Sequence, residues 1–190
     1  YSETMFANRV YELQAFGNIV LSNYNTGINN MFPNVRMVHS DDDFRVIYNT
    51  KEKDLLELQA KGIRYVYNGH TTFHRVQEIA KTIGLDVETY PKEILVVLSN
   101  DSEQNLQSFN QQIYEHKSYI LESDLDQTNL SSYDFITFFN DEYVYEEYYL
   151  NDMYNAFKYV DVDFVTKDEN SEAHNYVMSL SDKYKSMIDI

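Results

Sequence analysis

Glu93-Ile94-Leu95-Val96-Val97-Leu98-Ser99-Asn100-Asp101-Ser102-Glu103-Gln104 is the stretch that decides the fold class. Ile94 to Leu98 are all aliphatic, so this strand has no polar face to turn toward water. An unbroken aliphatic run of this kind belongs to a strand in a parallel sheet covered on both sides. Asp101 with Gln104 has the pattern of a capping box, which opens a helix directly after the strand. Leu106, Phe109 and Ile113 then fall on one face of that helix. Immediately upstream, Asp86 to Lys92 is polar and contains Pro91, which reads as a domain boundary.

Working outward toward the C-terminus, Tyr119-Ile120-Leu121 reads as a second strand and Phe135 to Phe139 as a third, ending in Asn140-Asp141-Glu142. Leu150, Met153, Tyr154 and Phe157 have the spacing of a buried helix face, and Val162 to Val165 forms a fourth strand. The polar tail from Lys167 is expected to end in a helix over 172–185. Toward the N-terminus, Phe6, Val10 and Leu13 predict a helix over 4–16 that stops at Gly17. Ile19 to Leu21 and Val35 to Val38 read as short strands, with Asn23 to Pro33 a turn-rich connection between them. Ser40-Asp41-Asp42-Asp43 caps a helix, and Lys51 to Ala60 reads as another, ending near Gly62. Phe73, Val76, Ile79, Ala80 and Ile83 give a strong amphipathic stripe, with Thr71 or Thr72 at its front and Gly84 at its end. The expected architecture is α/β, with Rossmann-like layers, a mostly parallel sheet flanked by helices, and two partial domains, residues 1–88 and 89–190.

Composition limits the partners. The formal net charge is −16, from 31 acidic and 15 basic side chains. Such a chain repels phosphate backbones, so nucleic acid is not an expected partner, and an unaided grip on anionic lipid is not expected either. Cysteine is absent, which removes disulfides and thiolate metal sites and fits a reducing compartment. No apolar run is long enough to span a membrane. Tyr1-Ser2-Glu3-Thr4 carries no Met and no signal-peptide pattern, and reads as an internal cut in a longer protein.

Asn8-Arg9-Val10-Tyr11-Glu12-Leu13-Gln14-Ala15-Phe16-Gly17, followed by Ile19 to Ser22, resembles the R-x-x-E-x-x-A-x-G stretch of the nucleotide-binding half of GT-B glycosyltransferases, in particular a spore-maturation-type branch. Gly69-His70-Thr71-Thr72-Phe73-His74-Arg75 is similar to the H-T-x-x-x-R of that branch. The resemblance implies that Glu12 accepts hydrogen bonds from the donor's ribose hydroxyls and that Arg9 meets a phosphate. In the bland alternative Glu12 is an exposed helix residue and Arg9 a surface ion-pair partner. Retaining members carry a second glutamate at the position where Thr4 stands here, with Glu3 one residue out of step.

Tyr133 to Leu150, with Glu93 to Asn100, Gln112-Ile113-Tyr114 and Tyr119 to Ser123, resembles family-2 transferases of GT-A type. In that family a D-x-D pair holds a divalent cation on the donor diphosphate, and the matching positions here are Asn140 and Glu142. Hard cations take oxygen ligands, so the implied cofactor is Mg or Mn. Glu122 and Asp124, with Asp126, are candidates for nucleotide contacts, or else a solvated acidic loop. Only Asp124 to Ser132 separates the second strand from the D-x-D position, where the family has a long stretch.

Other constellations carry less. His39, His70, His74, His116 and His174 show no metal-ligand spacing. The run from Glu142 to Tyr149 is acidic and aromatic, suited to stacking on sugar rings or simply to a strand end and first helical turn. Five glycines are too few for a glycine-rich phosphate cradle, and no P-loop or nucleophile elbow is present.

The sequence therefore points to part of a glycosyltransferase. Residues 1–88 would be the C-terminal part of a GT-B-like nucleotide-binding domain and residues 89–190 a reduced GT-A-like domain. The expected partners are a nucleotide-sugar donor and a glycan acceptor of teichoic-acid or capsule type. The expected location is the cytoplasm, at the inner face of the membrane through a parent protein, with self-association through an exposed sheet edge. Two alternatives stay open. One is an interaction or scaffold module that keeps the fold without an active site. The other is an acidic adaptor for basic partners, whose binding would weaken with salt.

Overall fold

A computed structural model describes residues 5–167 and 176–190. The chain divides into two compact units, Tyr1–Val87 and Glu88–Ile190. Glu3, Thr4, His174 and the start of the helix expected over 172–185 lie outside the described residues.

The first unit runs α1 (Arg9–Ala15), β1 (Leu21–Ser22), α2 (Thr26–Met31), β2 (Arg36–Met37), α3 (Asp41–Tyr48), α4 (Glu52–Gly69) and α5 (Thr72–Thr82). β1 and β2 pair in parallel, Leu21 opposite Arg36 and Ser22 opposite Met37. Val10, Val20, Ile28, Phe32 and Val35 form the core, with Phe6, Tyr11 and Tyr65 packed against it. Gly17, at φ +72°, ends α1 in the left-handed conformation that favours glycine. At the head of α3 the Ser40 hydroxyl accepts from the Asp43 backbone N–H while the Asp43 carboxylate accepts from that of Ser40, so the expected cap is present and closes as a capping box.

Two expectations in this unit are corrected. The turn-rich stretch from Asn23 contains the helix α2, because the Asn25 side chain caps it by accepting from the Ile28 N–H at 3.0 Å. Gly62 does not end a helix; α4 runs through it to Gly69. A Cβ at Gly62 would stand 3.1 Å from Asn34 Nδ2 and 3.3 Å from Gln14 Cβ, so the glycine is there for close approach. Gln14 is itself buried, donating to the Val10 carbonyl at 2.9 Å and accepting from Asn34 at 2.6 Å. The α5 stripe forms on its helix as read, with Phe73, Val76, Ile79 and Ile83 exposed and only Ala80 buried.

The second unit runs β3 (Ile94–Leu98), α6 (Glu103–Asn110), β4 (Lys117–Leu121), β5 (Phe135–Phe139), α7 (Tyr149–Phe157), β6 (Phe164–Thr166) and β7 (Ser186–Asp189). Its sheet has the order β4-β3-β5-β7-β6. β4 and β5 both pair with β3 in parallel, and β7 pairs antiparallel with β5 and β6. All of β3 is buried, as its composition requires. Ile94, Val96 and Leu98 join Phe109, Leu150 and Met153 from α6 and α7 on one side. Leu95 and Val97 join Ile136 on the other, covered by Leu125 and Leu130 from two 3-10 turns, Glu122–Gln127 and Leu130–Ser132, and by Tyr133 just after the second. Tyr145 stacks on Phe139 with ring centroids 3.9 Å apart, so the acidic, aromatic run spends its tyrosines on the core.

Two corrections apply here. Ser102, not Asp101, caps α6 by accepting from the Asn105 N–H at 3.2 Å, and Ile113 lies beyond the helix and is exposed. The tail over 176–185 is not an α-helix; it holds a 3-10 turn, Lys183–Lys185, and leads into β7, a strand the pattern did not announce. Lys185-Ser186-Met187-Ile188-Asp189 is too short and mixed to reveal a strand until β5 offers its open edge.

Leu98→Ala should lower the free energy of unfolding by about 2–5 kcal/mol. Phe73→Ala, on the exposed face of α5, should change it by no more than about 0.5 kcal/mol. Denaturant titration of both variants checks the contrast.

Candidate functional site

In the second unit the three parallel strands end together, since Leu98 is opposite both Leu121 and Phe139. The chain leaves β3 toward β4 on one side and returns to β5 on the other. Open α/β sheets bind ligands at such a reversal, outside the carboxyl ends of the strands. The segments meeting there are Ser99 to Ser102, Glu122 to Asp124, and Asn140 to Glu142. The first is anchored by the buried Asn105 amide, which donates to Ser99 Oγ at 3.2 Å and to the Asn100 carbonyl at 3.1 Å. Asn100 Nδ2 reaches Asp141 Oδ2 at 3.3 Å, tying the loop after β3 to the loop after β5.

Asn140 faces its own turn. Its backbone N–H donates to the Tyr145 hydroxyl at 3.1 Å, and its Oδ1 accepts from the Glu142 backbone N–H at 2.8 Å. One lone pair of the only side-chain oxygen that Asn140 could offer a cation is therefore engaged. Glu142 is exposed. Among the described residues no three His, Cys, Asp or Glu side chains converge tightly enough to hold an ion. These side chains do not by themselves fit a divalent cation.

Glu122 is engaged as well. Its carboxylate accepts from Lys183 Nζ in a close ion pair and from the Tyr184 hydroxyl at 3.3 Å. Lys183 Nζ also lies 5.1 Å from the centre of the Phe138 ring. Asp182, beside it, accepts from the Tyr143 hydroxyl at 2.8 Å, and the Tyr145 hydroxyl donates to the Tyr184 carbonyl at 2.9 Å. Asp124 is exposed on its 3-10 turn and accepts from Ser123 Oγ at 3.2 Å. The sequence patterns pointed at Asn140, Glu142, Glu122 and Asp124, and the carboxyl edge gathers them. Lys183 was missed, because nothing local marks a lysine in a polar tail as the neighbour of a residue 61 positions away.

In the first unit Arg9 and Glu12 lie on the exposed side of α1, away from the buried Val10 and Gln14. The polar cluster there is a different one. Arg75 donates to the Tyr11 hydroxyl at 3.3 Å and to Glu78 at 2.8 Å, and its Nη2 sits 2.6 Å from His70 Nδ1. A guanidinium can only donate, so His70 Nδ1 accepts and the imidazole proton sits on Nε2. Tyr65 stacks on His70 at 4.3 Å between ring centres. His74 Nδ1 accepts from the Thr71 N–H at 3.3 Å, closing the first turn of α5. The spacing of His70, Thr71 and Arg75 was visible in the sequence. The arrival of Tyr11 and Tyr65 from α1 and α4 was not.

The two units thus supply α/β layers, one with a ligand-type reversal at its sheet edge and one with a hydrogen-bonded cluster of Arg75, His70 and Tyr11 at a helix start. Residues 2–81 match the model of a glycosyl transferase-like family. No curated protein and no solved structure matches the chain. Among the described residues no helix is long and apolar enough to cross a membrane.

Burial pushes the His70 imidazole below its ordinary pKa, and Arg75 and His74 push it the same way, against a smaller opposite pull from Glu78. The folded state thus disfavours protonated His70 more than the unfolded state does. Stability from this source is fully present above the unfolded pKa of about 6.5 and is lost as pH falls through the lower folded value. Thermal unfolding between pH 7.5 and 5 should show this loss in the native sequence. In His70→Gln the pH dependence should be shallower.

Proposed function

We propose that the chain is part of a glycosyltransferase that moves a sugar from a nucleotide-sugar donor to a cell-surface glycan of teichoic-acid or capsule type. The observation that carries this reading is the glycosyl transferase-like pattern over residues 2–81. The coincident carboxyl ends of β4, β3 and β5 add to it, because this is where an open α/β sheet takes a nucleotide. On this reading residues 1–88 are the C-terminal part of a GT-B-like domain and residues 89–190 a reduced GT-A-like domain working in the cytoplasm. If the second unit takes the donor, Asn140, Glu142, Glu122 and Asp124 would face it; if the first unit takes it, Arg9 and Glu12 would. Any Mg or Mn would have to arrive with the donor's diphosphate oxygens, since the side chains alone do not assemble a site.

A second reading is an interaction module that keeps the fold without the chemistry. The engaged Asn140 Oδ1 and the Glu122–Lys183 pair favour it, because both leave fewer groups to meet a ligand.

Calorimetric titration with UDP and a panel of nucleotide sugars, with and without Mn²⁺, separates the readings. A transferase should bind at least one of them saturably. Metal-dependent binding lost in Glu142→Ala would assign the donor to the second unit. Metal-independent binding lost in Glu12→Ala would assign it to the first. A folded sample that binds none of the panel would leave the interaction module standing.

A further inference from the structure

The carboxyl edge of the second unit carries a cation that no motif reading assigns. β4 and β5 flank β3 and lie about 10 Å apart, two interstrand spacings. Lys183 comes from the turn that leads into β7, on the β5 side, and lies against Phe138 near the end of β5. Its ammonium pairs with Glu122, the first residue after β4. The Lys183–Glu122 pair therefore bridges the interval in which β3 ends. It is partly open to solvent, with 41% of the lysine side chain and 33% of the glutamate side chain exposed. A ligand entering the reversal between β3 and β5 meets this pair.

The charge balance gives the lysine a role. The chain carries −16, and the segments at this edge add Asp101, Glu122, Asp124, Asp141 and Glu142. A diphosphate brought here is repelled unless a local cation offsets the acids. We propose that Lys183 is the donor-diphosphate ligand of this edge and that Glu122 is its internal competitor, holding the ammonium until a diphosphate displaces it. The inference rests on the nucleotide-sugar reading above and adds both a binding residue and a built-in brake to it.

The arrangement gives an asymmetric test. Lys183→Met and Glu122→Gln break the same ion pair from opposite ends. If the pair were only a structural tie, both substitutions would act alike. If Lys183 binds the diphosphate, they act in opposite directions. Titration of UDP into the full chain, at low and at physiological salt, should show binding about tenfold or more weaker in Lys183→Met. It should be severalfold tighter in Glu122→Gln, where the competitor has lost its charge, and near the native value in Lys183→Arg. Thermal unfolding of each variant establishes that it is folded. UDP binding that weakens in both Lys183→Met and Glu122→Gln, or is indifferent to Lys183→Met, overturns the role of Lys183 while leaving the donor reading intact. No UDP binding by either the native chain or folded Glu122→Gln overturns the donor site at this edge, and the inference with it.

Discussion

The second unit depends on the burial of β3 between two parallel neighbours. Its five residues have no exposure at all, and every one is aliphatic. Such a strand is unstable unless both faces are covered and both edges are paired, because buried backbone groups need partners. That single requirement places β4 and β5 on either side, α6 and α7 against Ile94, Val96 and Leu98, and the two 3-10 turns against Leu95 and Val97. It also aligns the three strand ends, and so creates the edge at which polar loops collect.

The polar groups at that edge serve two purposes that compete. Asn105, Asn100, Asn140 and Tyr145 hold the loops in place through a chain of hydrogen bonds linking the ends of β3 and β5. Rigid loops are what a binding site needs, yet each bond consumes a lone pair or an N–H that a ligand would otherwise use. Asn140 shows the conflict most directly, since the oxygen that would face a cation is turned to the Glu142 backbone. Lys183 is the exception in kind: its tie to Glu122 is an ion pair at a partly exposed position, where water screens the attraction and exchange with another anion costs little.

The first unit is organised by contact rather than by a sheet. Its pairing of β1 with β2 spans two residues on each strand. α1 and α4 approach closely at Gly62, and the buried Gln14 amide satisfies its hydrogen bonds at that contact. The aromatic group of Phe6, Tyr11, Phe32 and Tyr65 extends from there to His70 and Arg75. Here the glycosyl transferase-like pattern coincides with a unit whose polar cluster is on the Tyr11 side of α1, while Glu12 and Arg9 lie on its exposed side.

The sequence by itself determined β3, β4, β5 and the capped starts of α3 and α5, because aliphatic runs and caps act within a few residues. It also determined the α/β class and the negative charge that limits the partners. It misread Gly62 as a stop, since a glycine's lack of a Cβ can end a helix or admit a neighbour, and only the presence of Gln14 and Asn34 decides which. It showed the α5 stripe but not that Phe73, Val76, Ile79 and Ile83 are exposed: periodicity records a face without recording what covers it. Tertiary structure alone decided that the tail returns as β7, that Lys183 meets Glu122, and that Tyr11 meets Arg75. Each of these pairs residues far apart in the chain through short-range forces, and the spacing of neighbours along a chain holds no information about them.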